Sequence, residues 1–284
     1  MNKLSGTVFR LMVLLIVFLF FSGNELYAKK VSRSSAPGSS SYSHNDYAED
    51  NFDDDIDAGL DNDDIDDVDG YLNPTLKDLL PNPSVLQDMD KAAARLSEAI
   101  QKGEKIAIFG DYDVDGATSS ALLTRFFSAV STPPRIYIPD RLKEGYGPTS
   151  DAMTLLAGEG ARVVVTVDCG ISSFDPLTVA KEAGLEVIVV DHHVAEATLP
   201  EAVAVINPNR LDEDGSLGHL AAVGVAFLLV IAVNRALRDA GWYTSRPEPK
   251  LMQWLDLVAL GTVCDVVPLK GLNRALVVQG LKVM

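Results

Sequence analysis

From Lys105 onward, short apolar runs rich in Val and Ile recur, separated by longer segments that mix apolar and polar positions. The runs predict strands at 105–109, 135–138, 163–167, 187–190 and 203–206, and the intervening pattern predicts helices at 117–130, 150–158 and 174–184. Near-continuous apolar strands are buried on both faces, as in a parallel sheet whose crossover helices cover both sides. Ahead of them, Pro81-Asn82-Pro83 marks a turn. Asp88 to Gly103 then reads as an amphipathic helix, with Ala92, Leu96 and Ile100 (or Ala99) on one face and Gly103 as its stop. Beyond Asn209 the pattern turns helical. His219 to Ala240 is apolar through Val233, Leu251 to Leu260 is a second core helix, and a further helix follows Asn273. Gly218 and Gly224 interrupt the apolar stretch and Asn234-Arg235 ends it, which favours burial in the domain over a membrane. The fold class expected is α/β, a parallel β-sheet with crossover helices followed by a helical subdomain.

The amino-terminal pattern is different. Lys3 and Arg10 precede an apolar run from Leu11 to Phe21, with a cleavage point expected after Ala28, so residues 1–28 read as a signal-like or anchor segment. Residues 29–70 are Ser-rich and then acidic, with too little apolar surface to offset the entropy of ordering, and are expected to be a disordered linker. Order is expected from about Tyr71, giving a domain over 71–284.

Charge changes this picture only locally. The formal net charge is −16, but 13 of the 40 acidic residues fall between His44 and Gly70, where there is no Lys or Arg. The remainder carries 27 acids against 24 bases and is near neutral, so a nucleic-acid substrate handled by local basic groups and metal ions is not excluded. The two cysteines, Cys169 and Cys264, provide neither a zinc-finger spacing nor a disulfide framework. They suit a reducing compartment.

The chemistry-bearing residues fall at the carboxyl ends of the expected strands, where open α/β sheets bind ligands. Ile106-Ala107-Ile108-Phe109 runs into Gly110-Asp111-Tyr112-Asp113-Val114-Asp115-Gly116, and alternate spacing is expected to put the three acids on one side of an extended turn, with Gly116 bending the chain into the next helix. Three such charges repel unless a cation neutralises them, and hard divalent ions prefer carboxylate oxygens. An EF-hand is excluded, because its twelfth position would be Leu122; a P-loop is excluded because Ala117 stands where Lys is required. The arrangement repeats: Val163 to Val167 ends in Asp168-Cys169-Gly170, and Val187 to Val190 ends in Asp191-His192-His193. Adjacent histidines project differently, so one can ligate a metal while Asp191 fixes its tautomer and the other faces a substrate phosphate. Asp265, in Gly261-Thr262-Val263-Cys264-Asp265-Val266-Val267-Pro268, lies in apolar surroundings and needs a cation or donor partner. Arg141 and Lys143, beside Tyr146 on a Gly-rich loop, are candidates to hold a phosphate backbone and stack a base. Asp256 and His219 are expected to cap or pack, and His44 has no role.

Gly110 to Gly116, Val167-Asp168-Cys169-Gly170, Asp191-His192-His193 and Gly261 to Asp265 together resemble the four motifs of the DHH phosphoesterase superfamily. Ile138-Pro139-Asp140-Arg141-Leu142-Lys143-Glu144-Gly145-Tyr146-Gly147, Asn207-Pro208-Asn209 and Ala222 to Phe227 resemble its branch of single-strand-specific DNA exonucleases. The resemblance runs from about Tyr71 to the last residue. It implies metal ligation by Asp113, Asp115, Asp168, His192 and Asp265, with Asp168 bridging two ions, Mn²⁺ or Mg²⁺, and His193 contacting the scissile phosphate. His193 and Asp111 are the candidate catalytic residues. The implied activity is hydrolysis of single-stranded DNA from the 5′ end in repair and recombination, with residues 71–284 as the N-terminal catalytic part, a domain truncated at its carboxyl end and thus a fragment of the whole enzyme. The rival readings are another phosphohydrolase of the superfamily, acting on oligonucleotides, cyclic dinucleotides or pyrophosphate, and a non-catalytic fragment. Phe109 stands where several phosphatase relatives carry histidine. The resemblance further implies a cytoplasmic protein, at odds with residues 1–28, working with a single-strand-binding protein and a helicase. It also implies that DHHA1-type and oligonucleotide-binding domains would follow beyond Met284.

Overall fold

β1 (Ile106–Gly110) pairs in parallel with both β2 (Arg135–Tyr137) and β3 (Val163–Val167), and β4 (Glu186–Val190) and β5 (Ala204–Ile206) continue the sheet in the order β2-β1-β3-β4-β5. All four pairings are parallel. The structure, a computed structural model, describes Gly70 and residues 73–284; the signal-like segment, nearly all of the acidic linker, Tyr71 and His44 lie outside the described residues.

Nine α-helices, numbered in chain order, accompany the strands among the described residues: α1 (Leu76–Leu79), α2 (Met89–Lys102), α3 (Val114–Ala129), α4 (Arg141–Glu144), α5 (Ser150–Gly158), α6 (Phe174–Glu182), α7 (Ala222–Asp239), α8 (Leu255–Cys264) and α9 (Gly271–Val283). The period of two along the strands sorts their side chains between two cores. Ile106, Ile108, Val163, Val165, Val167, Ile188 and Val190 pack with residues of α2, α3, α7, α8 and α9. Ala107, Phe109, Val164, Val187 and Val189 pack on the opposite face with residues of α5 and α6. Phe109 is wholly buried there and stacks on Tyr137 with ring centroids 5.3 Å apart, so this side chain supports the sheet. None of the described helices is long and apolar enough to cross a membrane.

Three local expectations are corrected. The acids after β1 do not lie along an extended turn: Asp113 caps α3, accepting the Gly116 N–H at 2.8 Å, and Asp115 is already in the first helical turn. The helix therefore begins at Val114 rather than 117, since a capping carboxylate outweighs the breaking tendency of Gly116. Gly116 is needed for close approach instead, because a Cβ there would lie 2.6 Å from the Asp111 carbonyl oxygen. The helix expected from His219 starts at Ala222. The one expected at Leu251 opens as a 3₁₀ turn, Leu251–Trp254, and runs on as α8 through Gly261-Thr262-Val263-Cys264, so Asp265 is its C-cap.

α8 and α9 approach so closely that a Cβ on Gly280 would lie 2.3 Å from the Leu255 carbonyl oxygen and 2.4 Å from the Ala259 Cβ. Gly280→Ala is expected to cost ~1–3 kcal/mol through overpacking, at roughly 2–4 °C of melting temperature per kcal/mol. Thermal denaturation followed by circular dichroism checks this; an unchanged transition would mean that the two helices do not pack in this way.

Candidate cation-binding site

Strand order reverses between β1 and β3, since the chain leaves β1 toward β2 on one side and returns as β3 on the other. In a doubly wound sheet of order 2-1-3-4-5 the ligand crevice lies at that switch point, beyond the carboxyl ends of the strands. Asp111 directly follows β1 and Asp168 directly follows β3, with the Asp111 N–H donating to the Val167 carbonyl at 3.3 Å. Asp191 follows β4, one strand over. The strands thus deliver their acids to a single edge, as the sequence pattern predicts.

Three overlapping groups of ligand-type atoms result: Asp111, Asp113 and Asp168; Asp115, His192 and Asp265; and Asp168, His192 and His193, each with its atoms within 4.8 Å of one another. Asp168 and His192 join them, the His192 Nε2 lying 3.3 Å from Asp168 Oδ1, 3.6 Å from Asp265 Oδ2 and 4.0 Å from Asp115 Oδ2. Two sets sharing a central carboxylate is an arrangement that suits a pair of ions. Asp111, assigned a catalytic role from sequence, sits among the candidate ligands.

The electrostatics fit a cation. Asp168 Oδ1 and Oδ2, Asp111 Oδ1, Asp265 Oδ2 and His192 Nε2 are buried, and no donor or acceptor of the protein satisfies them. Such atoms cost free energy unless a partner occupies the space between them. Burial, reinforced by the neighbouring acids, pushes the Asp168 carboxyl up to about 10 and the Asp115 carboxyl up to about 7. Burial also raises Asp111 and Asp265. Backbone strain collects at the same place. Asp168 has φ +60°, and Val266, which follows Asp265, has φ +61°, a conformation that is costly for a β-branched residue.

Asp115 has a second task that sequence reading missed. Its carboxylate accepts the N–H groups of Ala222 at 2.6 Å and Val223 at 2.9 Å, capping the N-terminus of α7 from 107 residues away. Each carboxylate oxygen has two lone pairs, so capping leaves capacity for an ion.

The two histidines diverge as expected, but Asp191 does not orient the one turned into the acids. Asp191 Oδ1 lies 2.7 Å from the Nδ1 of His193, while also accepting the backbone N–H groups of His192 at 2.8 Å and His193 at 3.2 Å. The hydrogen bond to Asp191 raises the His193 imidazole above its ordinary value, and Asp191 is held below the usual carboxylate range. The His193 side chain remains half exposed, whereas that of His192 is largely enclosed.

Arg141 and Lys143, expected on a loop, lie instead on the short helix α4, capped by Asp140, and this segment is only partly drawn to the site. Arg141 lies over the Tyr112 ring, 4.5 Å from its centroid. Lys143 is exposed and pairs with Asp140 at 3.0 Å. Tyr146 meets His193 edge-on and donates its hydroxyl to the Asp168 carbonyl at 3.1 Å, so one side chain links the segment to both. Cys169 is buried and free, with its thiol pushed up by burial, and Cys264 is also free. Asp256 pairs with Arg125 at 3.6 Å, and His219, ahead of α7, accepts the Asn273 amide on its carbonyl.

Fold and site define a class: parallel α/β domains whose strand ends hold a crevice of carboxylates and imidazoles suited to divalent ions. Residues 105–262 match the family described as "DHH family, N-terminal domain", and the chain belongs to that family. Over 211 residues it is 43% identical to the single-stranded-DNA-specific exonuclease RecJ of Haemophilus influenzae, covering 74% of this chain and 36% of that protein. Among solved structures it is similar to exonuclease RecJ bound to manganese, with a TM-score of 0.61 and 40% identity over 69% of this chain and 48% of that one. It is also similar to RecJ in complex with Mn²⁺ from Thermus thermophilus, with a TM-score of 0.60 and 36% identity over 75% of this chain and 29% of that one. The chain thus spans about a third of the length of the curated relative it matches.

Proposed function

We propose that the chain carries the hydrolytic crevice of a divalent-cation-dependent nuclease that cleaves phosphodiester bonds of single-stranded DNA. The observation that carries this reading is the convergence of Asp111, Asp113, Asp115, Asp168, His192 and Asp265 in connected sets with unsatisfied atoms at the switch point. Similarity to RecJ supplies the substrate class, and the manganese and Mn²⁺ named for two of its structures supply the ion. Mg²⁺ suits the same hard oxygen ligands.

Asp113, Asp115, Asp168, His192 and Asp265 hold the ions, with Asp168 between the two sets and Asp111 completing the acid wall. Bound there, two divalent ions supply the charge that activates water and stabilises the leaving oxygen in an in-line displacement. His193, steadied by Asp191 and open to solvent, presents a proton-bearing nitrogen to the scissile phosphate. Arg141, braced on Tyr112, offers a guanidinium to a flanking phosphate. Lys143 adds positive charge to the approach, and the half-exposed Tyr146 ring offers a surface to a base while its hydroxyl steadies Asp168. Action from the 5′ end, a cytoplasmic site of work, and partnership with a single-strand-binding protein and a helicase complete the reading on the strength of the motifs.

The test compares long single strands, blocked at either end, with dinucleotides and pyrophosphate under the same Mn²⁺ concentration. Long strands open at the 5′ end are expected to be degraded fastest. His193→Ala is expected to slow cleavage by about 10²–10⁴-fold while Mn²⁺ uptake persists. Faster turnover of dinucleotides or pyrophosphate would transfer the site to a different phosphohydrolase activity, and Mn²⁺ uptake without any cleavage would favour a binding role.

A further inference from the structure

Sheet hydrogen bonding ends just before the two histidines. The last rung beyond β4 is the Asp191 N–H donating to the Ile206 carbonyl at 3.1 Å. Past it, the peptide groups of His192 and His193 have no strand to pair with, yet all four of their polar groups are satisfied by side chains. Both N–H groups go to Asp191 Oδ1. Both carbonyls go to the loop after β5: the Asn209 amide donates to the His192 carbonyl at 2.5 Å, and the Asn207 amide donates to the His193 carbonyl at 2.8 Å. Asn207 is wholly buried, and its Oδ1 accepts the Asn209 N–H at 2.8 Å. The Asn209 amide also reaches the Gly218 carbonyl at 3.2 Å, tying the loop to the segment that leads into α7.

We infer that Asn209 is a positioning residue of the cation site, acting through the backbone of His192, and that Asn207 holds it in place. The inference rests on the cation reading proposed above. His192 must bring its Nε2 between Asp168, Asp265 and Asp115, and the direction of its Cα–Cβ bond follows from the two peptide planes that flank it. Asp191 holds the plane ahead of His192 through the His192 N–H, and the plane after it is held from both ends, by Asp191 at the His193 N–H and by Asn209 at the His192 carbonyl. A carboxamide suits the position because Asn209 donates to two carbonyl oxygens at once, which a carboxylate cannot do. Asn209→Asp preserves shape but turns an anionic oxygen toward both carbonyls; Asn209→Ala removes the donor without adding charge. Outer partners of metal ligands typically contribute about 10–100-fold in metal affinity, and that loss is expected for each variant.

Arg210 provides a control on the same loop, because it ties the loop to the Val205 carbonyl at 2.6 Å and to Asp88 at 3.1 Å without contacting either histidine. Arg210→Ala is expected to lower the melting temperature while leaving Mn²⁺ affinity unchanged. The experiment titrates the full chain with Mn²⁺ alone, reading free ion by electron paramagnetic resonance, for wild type, both Asn209 variants, Arg210→Ala and His192→Ala. Melting of each metal-free variant verifies the fold. Weakened binding in both Asn209 variants, with Arg210→Ala at the wild-type affinity, supports the inference. Wild-type affinity in the Asn209 variants while His192→Ala loses binding overturns it and leaves the cation reading intact. Equal weakening in Arg210→Ala also overturns it, since general loosening of the loop would then account for the effect. No uptake by the wild type would sink the cation reading and this inference with it.

Discussion

Asp168→Asn is expected to abolish Mn²⁺-dependent hydrolysis while making the metal-free protein more stable than wild type. Asp168 is the carboxylate that belongs to two of the three sets, and neither of its oxygens accepts a hydrogen bond from the protein. Without an ion the carboxyl must take up a proton far above its ordinary value or stand ionised with no partner, and either costs stability; with an ion its charge is required. An amide has almost the same shape, and Asn tolerates the φ of +60° found here. The substitution thus removes the ionisable group with little change in packing. Several kcal/mol of charge stabilisation correspond to a rate loss of about 10³-fold or more. Opposed changes in activity and stability are a common mark of residues kept for function. Parallel measurement of cleavage, Mn²⁺ affinity and metal-free melting decides the matter. A near-wild-type rate together with undiminished Mn²⁺ affinity would remove Asp168 from the site.

In the absence of divalent ions, the melting temperature should fall as pH rises from about 5 to 8, because the buried acids hold protons that the unfolded chain has released, at an ordinary Asp value of about 3.9. Asp168 is pushed up to about 10 and Asp115 to about 7, so over this window the native state binds more protons than the unfolded state. Stability then declines with pH. His193, also raised, acts in the same direction, since its stabilising contribution is full below its unfolded value and is lost as pH passes its folded one. Asp191 is lowered, and its contribution, lost only in acid, is constant across the window. Mn²⁺ should reverse the trend, because ligands bind metal in their deprotonated forms. At a free concentration ~100 times the dissociation constant the gain is about 2.7 kcal/mol, or roughly 5–10 °C for a domain of this size. That gain should be larger at pH 8 than at pH 5. A melting temperature that is flat or rising with pH in chelator, and unmoved by Mn²⁺, would count against a buried, charge-frustrated cation site.

Much of the molecule was legible from local pattern. The Val- and Ile-rich runs are strands because a segment buried on both faces must be apolar at every position, a property visible within five residues. The acids and imidazoles after those runs converge because parallel strands all end on one edge; Asp111, Asp168 and Asp191 could be placed there before any contact was known. The amphipathic helix at α2 declared itself by Ala92, Leu96 and Ile100, all of them buried.

What only the tertiary structure decided depends on pairs of groups far apart in the chain, which no local period encodes. That β1 lies between β2 and β3, creating the switch point, follows from how the crossovers pack. The start of α3 at Val114 was set by the Asp113 cap and by the room Gly116 leaves for the Asp111 backbone. Asp115 bonds to amides 107 residues away, at the end of a helix whose own sequence contains no capping side chain. Asp191 chooses His193 rather than His192 because the loop beyond β4 is held by Asn207 and Asn209 from the neighbouring strand end. Hydrophobic periodicity specifies which face of each element is buried; the partner of each polar group is specified only when the elements meet.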